Sequence, residues 1–125
     1  MNRYFYFFLH VITPILIGVI IYVFFRSGDT LVENLFSFLN PNNIKIENKF
    51  IFNLPDFLSA YSVHSAFVLY LKKRDKLLSL YILGLFLLSE ILQIIFEFGT
   101  FDIYDVLSYI FAIILSSTIL KKNVK

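Results

Sequence analysis

Cysteine is absent from the sequence, which excludes disulfides and thiolate metal sites. Only four glycines occur, scattered along the chain, and none builds a phosphate-cradling loop or a dinucleotide fingerprint. The two histidines, His10 and His64, are far from the i, i+4 spacing of a zinc protease, and no nucleophilic triad can be assembled. Asp102 and Asp105, three apart, could with a glutamate offer oxygen ligands to Ca²⁺ or Mg²⁺, but no metal site or cofactor is expected, and nucleic acid is not an expected partner. Charge is also scarce, at 16% of 125 residues.

Against these shortages stand 58% hydrophobic residues, 16 phenylalanines and a mean hydropathy of +0.77. A soluble domain of this length could not cover so much apolar surface with so few charges. A lipid environment removes that requirement. The length alone fits one domain.

The expected fold class is all-α: a polytopic membrane protein with four transmembrane helices, at about 4–25, 55–71, 77–96 and 105–120. Each run approaches the roughly 20 residues that a hydrocarbon core of about 30 Å requires. A cleaved signal peptide is the rival reading of the first run, because Arg3 precedes it. The run is too long for one and lacks a small-residue cleavage site, so it is read as a retained helix. The sizeable loop at 26–54 opens with Thr30-Leu-Val-Glu33, a capping-box pattern. Leu31, Val32, Leu35, Phe36, Phe38 and Leu39 then gather on one face, as in a short helix lying in the interface. Asn40-Pro41-Asn42-Asn43 ends it, and Ile44 to Phe52 is read as a small hairpin turning at Glu47-Asn48. The second span is expected to open at Pro55-Asp56, with proline in the first turn.

Orientation follows from the basic residues. Arg3, Lys72, Lys73, Arg74, Lys76, Lys121, Lys122 and Lys125 are eight of the 11, and all lie on one side of the expected spans. The other side holds seven of the nine acids: Asp29, Glu33, Glu47, Asp56, Glu97, Asp102 and Asp105. Both termini are therefore expected in the cytoplasm, with the 26–54 loop outside.

Polar residues at membrane depth mark the candidate site. Glu90, Gln93 and Glu97 recur at spacings of three and four and share one helical stripe. A carboxylate facing lipid at the depth of Glu90 would cost roughly 3 kcal/mol or more, so it should face the bundle interior or be protonated. The fourth span brings Asp102, Asp105, Ser108 and Tyr109 to the same level. The second brings Asp56, Ser59, Tyr61, Ser62, His64 and Ser65 from that face towards mid-membrane. The expected pocket is thus acidic, hydroxyl-rich and extracytoplasmic, with His64 able to pair with Glu90. The competing readings are structural: Glu90 and Gln93 as interhelical glue, Asp102 and Asp105 as caps of the fourth helix, His64 as a satisfied core group, and His10 as a lipid-facing or interhelical polar residue.

Glu90-x-x-Gln93, a short loop, and Gly99-Thr-Phe-Asp102-Ile-Tyr-Asp105-x-x-Ser108 together resemble the signature of VanZ-like membrane proteins. Pro55-Asp56 is similar to the aspartate opening that family's preceding helix. The chain departs from the pattern at Thr100, where the family often carries arginine, at Ser108 in place of asparagine, and at Ala112 in place of glycine. The resemblance implies a bacterial cell-envelope protein of the cytoplasmic membrane, multi-pass. The expected role is non-enzymatic: the pocket engages an envelope lipid, or the chain serves as an accessory subunit beside other membrane proteins. A membrane-embedded enzyme using carboxylate acid–base chemistry on a lipid-linked substrate is the alternative. A proton-coupled transporter built on Glu90 is a third class, and it would need a dimer.

Overall fold

The computed structural model describes residues 2–25, 49–72, 75–96 and 101–120. Among these residues every regular element is helical. Arg3–Phe7, Phe8–Ile12 and Thr13–Phe25 follow one another without a break and are together called α1, since the junction residues Phe8 and Thr13 keep right-handed helical angles. The others are α2 (Lys49–Leu71), α3 (Lys76–Ile95) and α4 (Ile103–Ile119). Arg3–Val23 and Lys76–Ile95 are long and apolar enough to cross a membrane, and Ile103–Ile119 is a shorter apolar helix.

The middle of α1 is a π turn with a traceable cause. Pro14 has no N–H to give the His10 carbonyl, and its ring would press on that carbonyl in a regular helix. The chain widens just before it: the Thr13 amide donates to the Phe8 carbonyl, five residues back. The Thr13 hydroxyl donates to the same oxygen at 3.1 Å. His10 sits inside the widened turn.

Helix α2 begins at Lys49, earlier than expected, and Pro55 lies within it. Lys49–Phe52, read from sequence as the second arm of a hairpin, form its first turn. The reason lies in the spacing: Phe50, Asn53, Leu54 and Phe57 are i, i+3, i+4 and i+7, one face of a helix. They oppose Tyr104, Leu107, Ser108 and Phe111, spaced the same way on α4, across an apolar groove of about 610 Å³. The expected interfacial helix and the first arm of the hairpin fall outside the described residues. The third and fourth expected spans shift by one or two residues, because aspartates cap them. Asp75 Oδ1 accepts from Leu77 N–H at 3.1 Å, and Asp102 Oδ1 from Tyr104 N–H at 3.0 Å.

Consecutive helices run antiparallel. Arg3, at the start of α1, donates to the Leu69 carbonyl (2.9 Å) at the end of α2, where the helix dipole is negative. At the other end, a Cβ on Gly18 would meet Leu58 Cβ at 3.6 Å and Pro55 at 3.7 Å. Helix α2 is central and packs against α1, α3 and α4. Ala60 and Ala112, both fully buried, allow α2 and α4 a close approach. Val11, Val68, Leu69 and Leu120 fill the Arg3 end, and Ala60, Tyr61, Tyr109 and Ala112 the region beyond it.

The Gly18 distances are ordinary contacts, so Gly18→Ala should fold normally. Gly18→Leu would force α1 off α2 and cost about 2 kcal/mol, a typical overpacking penalty, readable as a lower melting temperature in detergent. Equal melting temperatures for the two variants would show that the helices are not in contact there.

The distribution of polarity is inverted relative to a water-soluble fold. Ser62, His64, Ser65, Glu90 and Ser116 are buried, whereas Leu80, Leu85, Ile95, Phe111 and Ile114 are each more than half exposed.

Candidate functional site

The buried polar residues divide into two clusters. The first is a hydrogen-bonded chain across all four helices, at the end where α3 begins. His10, inside the π turn, places its Nδ1 2.7 Å from the Tyr61 hydroxyl of α2. Ser65, one turn on, lies near enough to act on the Tyr61 hydroxyl. The Ser65 and Ser116 hydroxyls are 2.8 Å apart, and His64 Nδ1 lies 3.0 Å from Ser116 Oγ. His64 Nε2 then meets Ser79 Oγ at 2.9 Å, and that hydroxyl donates to the Asp75 carbonyl at 3.3 Å. Imidazole and hydroxyl groups each donate and accept, so such a chain can satisfy all its members.

The second cluster lies at the opposite end of the bundle. Glu90 comes from α3 and is only 2% exposed. The Tyr109 hydroxyl of α4 donates to its Oε1, and Tyr109 is itself 3% exposed and packed on Phe86, with ring centroids 4.8 Å apart. The carboxylates of Asp56, Glu90 and Asp105, one each from α2, α3 and α4, lie near enough to act electrostatically on that hydroxyl. Glu90 Oε2 is buried and meets no hydrogen-bond partner among the described residues. No group of three or more His, Cys, Asp or Glu among those residues could hold a metal ion.

Several expected site residues belong elsewhere. His64 does not pair with Glu90: both its nitrogens are engaged with serines, and Ser79 and Glu90 are about 16 Å apart along α3 at 1.5 Å per residue. Tyr61 joins the histidine chain. The Ser108 hydroxyl donates to the Tyr104 carbonyl at 2.8 Å, and Ser108 lines the α2–α4 groove. Asp102 is the N-cap of α4, with Asp105 in its first turn. Gln93 is half-buried on α3, one turn beyond Glu90. Asp56 is also half-buried, and its backbone carbonyl accepts from Ser59 Oγ at 2.8 Å. The residue that sequence reasoning undervalued is Tyr109, level with Asp105 but without a charge to draw notice. Its signal was spacing, since Tyr109 follows Asp105 by four and therefore shares its face.

Asp102→Ala would remove the cap and cost about 1 kcal/mol. Its loss should lower the melting temperature and leave Glu90-dependent behaviour intact. Loss of that behaviour with an unchanged melting temperature would put Asp102 in the site.

The arrangement around Glu90 places a buried acceptor oxygen, without a partner among the described residues, near other acidic side chains. Compared with family models, curated proteins and solved structures, the chain matches none.

Proposed function

We propose that this chain is a four-span integral protein of the bacterial cytoplasmic membrane, VanZ-like, with both termini in the cytoplasm. Its acidic site opens towards the outer leaflet. It works by binding there, engaging an envelope lipid or a partner within a larger membrane assembly, and not by catalysis. What supports the membrane reading is the inverted polarity, with an apolar exterior around a polar interior. Segregation of basic residues to one set of loops supports the orientation.

The observation that carries the binding reading is the contrast between the two clusters. Buried polar groups in folded proteins nearly always find partners, and the His64 chain obeys that rule as interhelical glue. Glu90 Oε2 breaks it. An acceptor held dry and without a donor is costly, and a bound group that donates to it removes the cost.

The test compares wild type with Glu90→Gln, purified in native-membrane nanodiscs, by mass spectrometry of co-purifying lipids and proteins. A species retained by wild type and lost from the variant supports binding at this site. Identical inventories, together with normal accumulation and an intact cellular phenotype for Glu90→Gln, Gln93→Ala and Asp105→Asn, would remove the site from the account. Turnover of a labelled lipid-linked precursor by pure protein, lost in Glu90→Gln, would make the chain an enzyme instead.

A further inference from the structure

The geometry points to a primary ammonium group, carried on a membrane-lipid headgroup, as the species that Glu90 Oε2 receives. This inference rests on the binding reading above and specifies its ligand.

Four observations narrow the chemistry. A carboxylate oxygen only accepts hydrogen bonds, so the missing group must be a donor. Glu90 is itself acidic, its Oε1 is already held by the Tyr109 hydroxyl, and the carboxylates of Asp56 and Asp105 lie near enough to act on that hydroxyl, so a cationic donor suits Oε2 better than a phosphate or carboxylate. A bare divalent cation is a poor fit, because it seeks six or more oxygens and the described acids form no metal-holding group. An ammonium instead needs one well-placed carboxylate and a favourable field, and it can also rest against the aromatic pair Phe86 and Tyr109.

A lipid is favoured over a dissolved amine by the way in. Glu90 is 2% exposed, and the helix around it presents Leu85, Leu88, Ile91 and Ile94 outward, each at least half exposed. A water-borne amine would cross an apolar surface to reach it. A headgroup arriving in the plane of the membrane meets Glu90 about 7 Å inside the end of α3, close to headgroup level. A quaternary ammonium lacks N–H donors, so it leaves Oε2 without a partner. That difference separates two otherwise similar lipids.

The experiment reconstitutes the full chain in nanodiscs of phosphatidylcholine doped with equal, small amounts of phosphatidylethanolamine and phosphatidylglycerol, and counts retained lipids by native mass spectrometry. Wild type should retain phosphatidylethanolamine at least tenfold over its share, Glu90→Gln should lose that enrichment, and Asp105→Asn should reduce it several-fold. Ser79→Ala, in the other cluster, should leave it unchanged. A parallel arm adds soluble phosphoethanolamine, which should not displace the lipid. Displacement by the soluble amine would assign the site to a dissolved ligand and overturn the lipid source. Glu90-dependent enrichment of phosphatidylglycerol, or of a protein partner, would overturn the ammonium while keeping the binding site. Identical retention by wild type and a Glu90→Gln variant that melts like wild type would overturn both.

Discussion

His64→Ala should destabilise the bundle by about 3 kcal/mol, the sum expected from a cavity where a buried ring stood and from two lost interhelical hydrogen bonds. The imidazole is fully buried and joins α2 to both α3 and α4 by hydrogen bonds, through Ser79 at 2.9 Å and Ser116 at 3.0 Å. Neither serine would be stranded. Ser116 keeps Ser65 at 2.8 Å, and Ser79 keeps the Asp75 carbonyl at 3.3 Å. The loss is therefore mostly packing and the tie to α3. Ser79→Ala, which removes one interhelical bond, the longer bond within α3 to the Asp75 carbonyl and little volume, should cost about 0.6 kcal/mol, the average for such bonds between membrane helices. Thermal unfolding in one detergent reads both. If His64→Ala melts like wild type, the histidine chain does not hold the helices together.

Glu90→Gln should separate stability from function. Glutamine keeps the size of glutamate and an oxygen that can accept from Tyr109, but it carries no charge. A neutral amide avoids the cost of keeping a carboxylate out of water. The melting temperature of apo Glu90→Gln should thus equal or exceed that of wild type, while ligand retention and the cellular phenotype are lost. Were Glu90 only glue, the same substitution would change the melting temperature modestly and leave the phenotype alone. A variant that fails in both respects would mean the carboxylate is paired in the unliganded protein. Tyr109→Phe supplies the complementary case. It strips the donor from Oε1 and leaves the carboxylate without its tyrosine, at a cost of about 2 kcal/mol for a hydrogen bond to a charged group.

How much of this could be read from sequence depends on what each feature's signal is made of. The helical segments followed from apolar run length, and the shifts at α3 and α4 amount to the caps supplied by Asp75 and Asp102. The start of α2 was misplaced because Pro55 looked like a first-turn residue. The helical spacing of Phe50, Asn53, Leu54 and Phe57 was the stronger signal, and α4 answers it position for position. Glu90 stood out because any acid in such a run demands an explanation. Its partner did not, since sequence says nothing about the rotation of each helix about its own axis. That same gap merged His64 with Glu90, when their helices place them at different levels. The contact between His10 and Tyr61 was hidden for another reason: His10 sits in a π turn whose only trace in the sequence is Pro14.

The proposed function requires a bundle that lies in the membrane with its basic loops inside and its acidic end outside. Because the chain has no cysteine of its own, single cysteines can be placed at will and probed with a membrane-impermeant thiol reagent on intact cells. Asn42→Cys should label from outside, whereas Lys73→Cys and Asn123→Cys should label only after the membrane is opened. Labelling of Lys73→Cys on intact cells, or recovery of the protein in the soluble fraction, would contradict it.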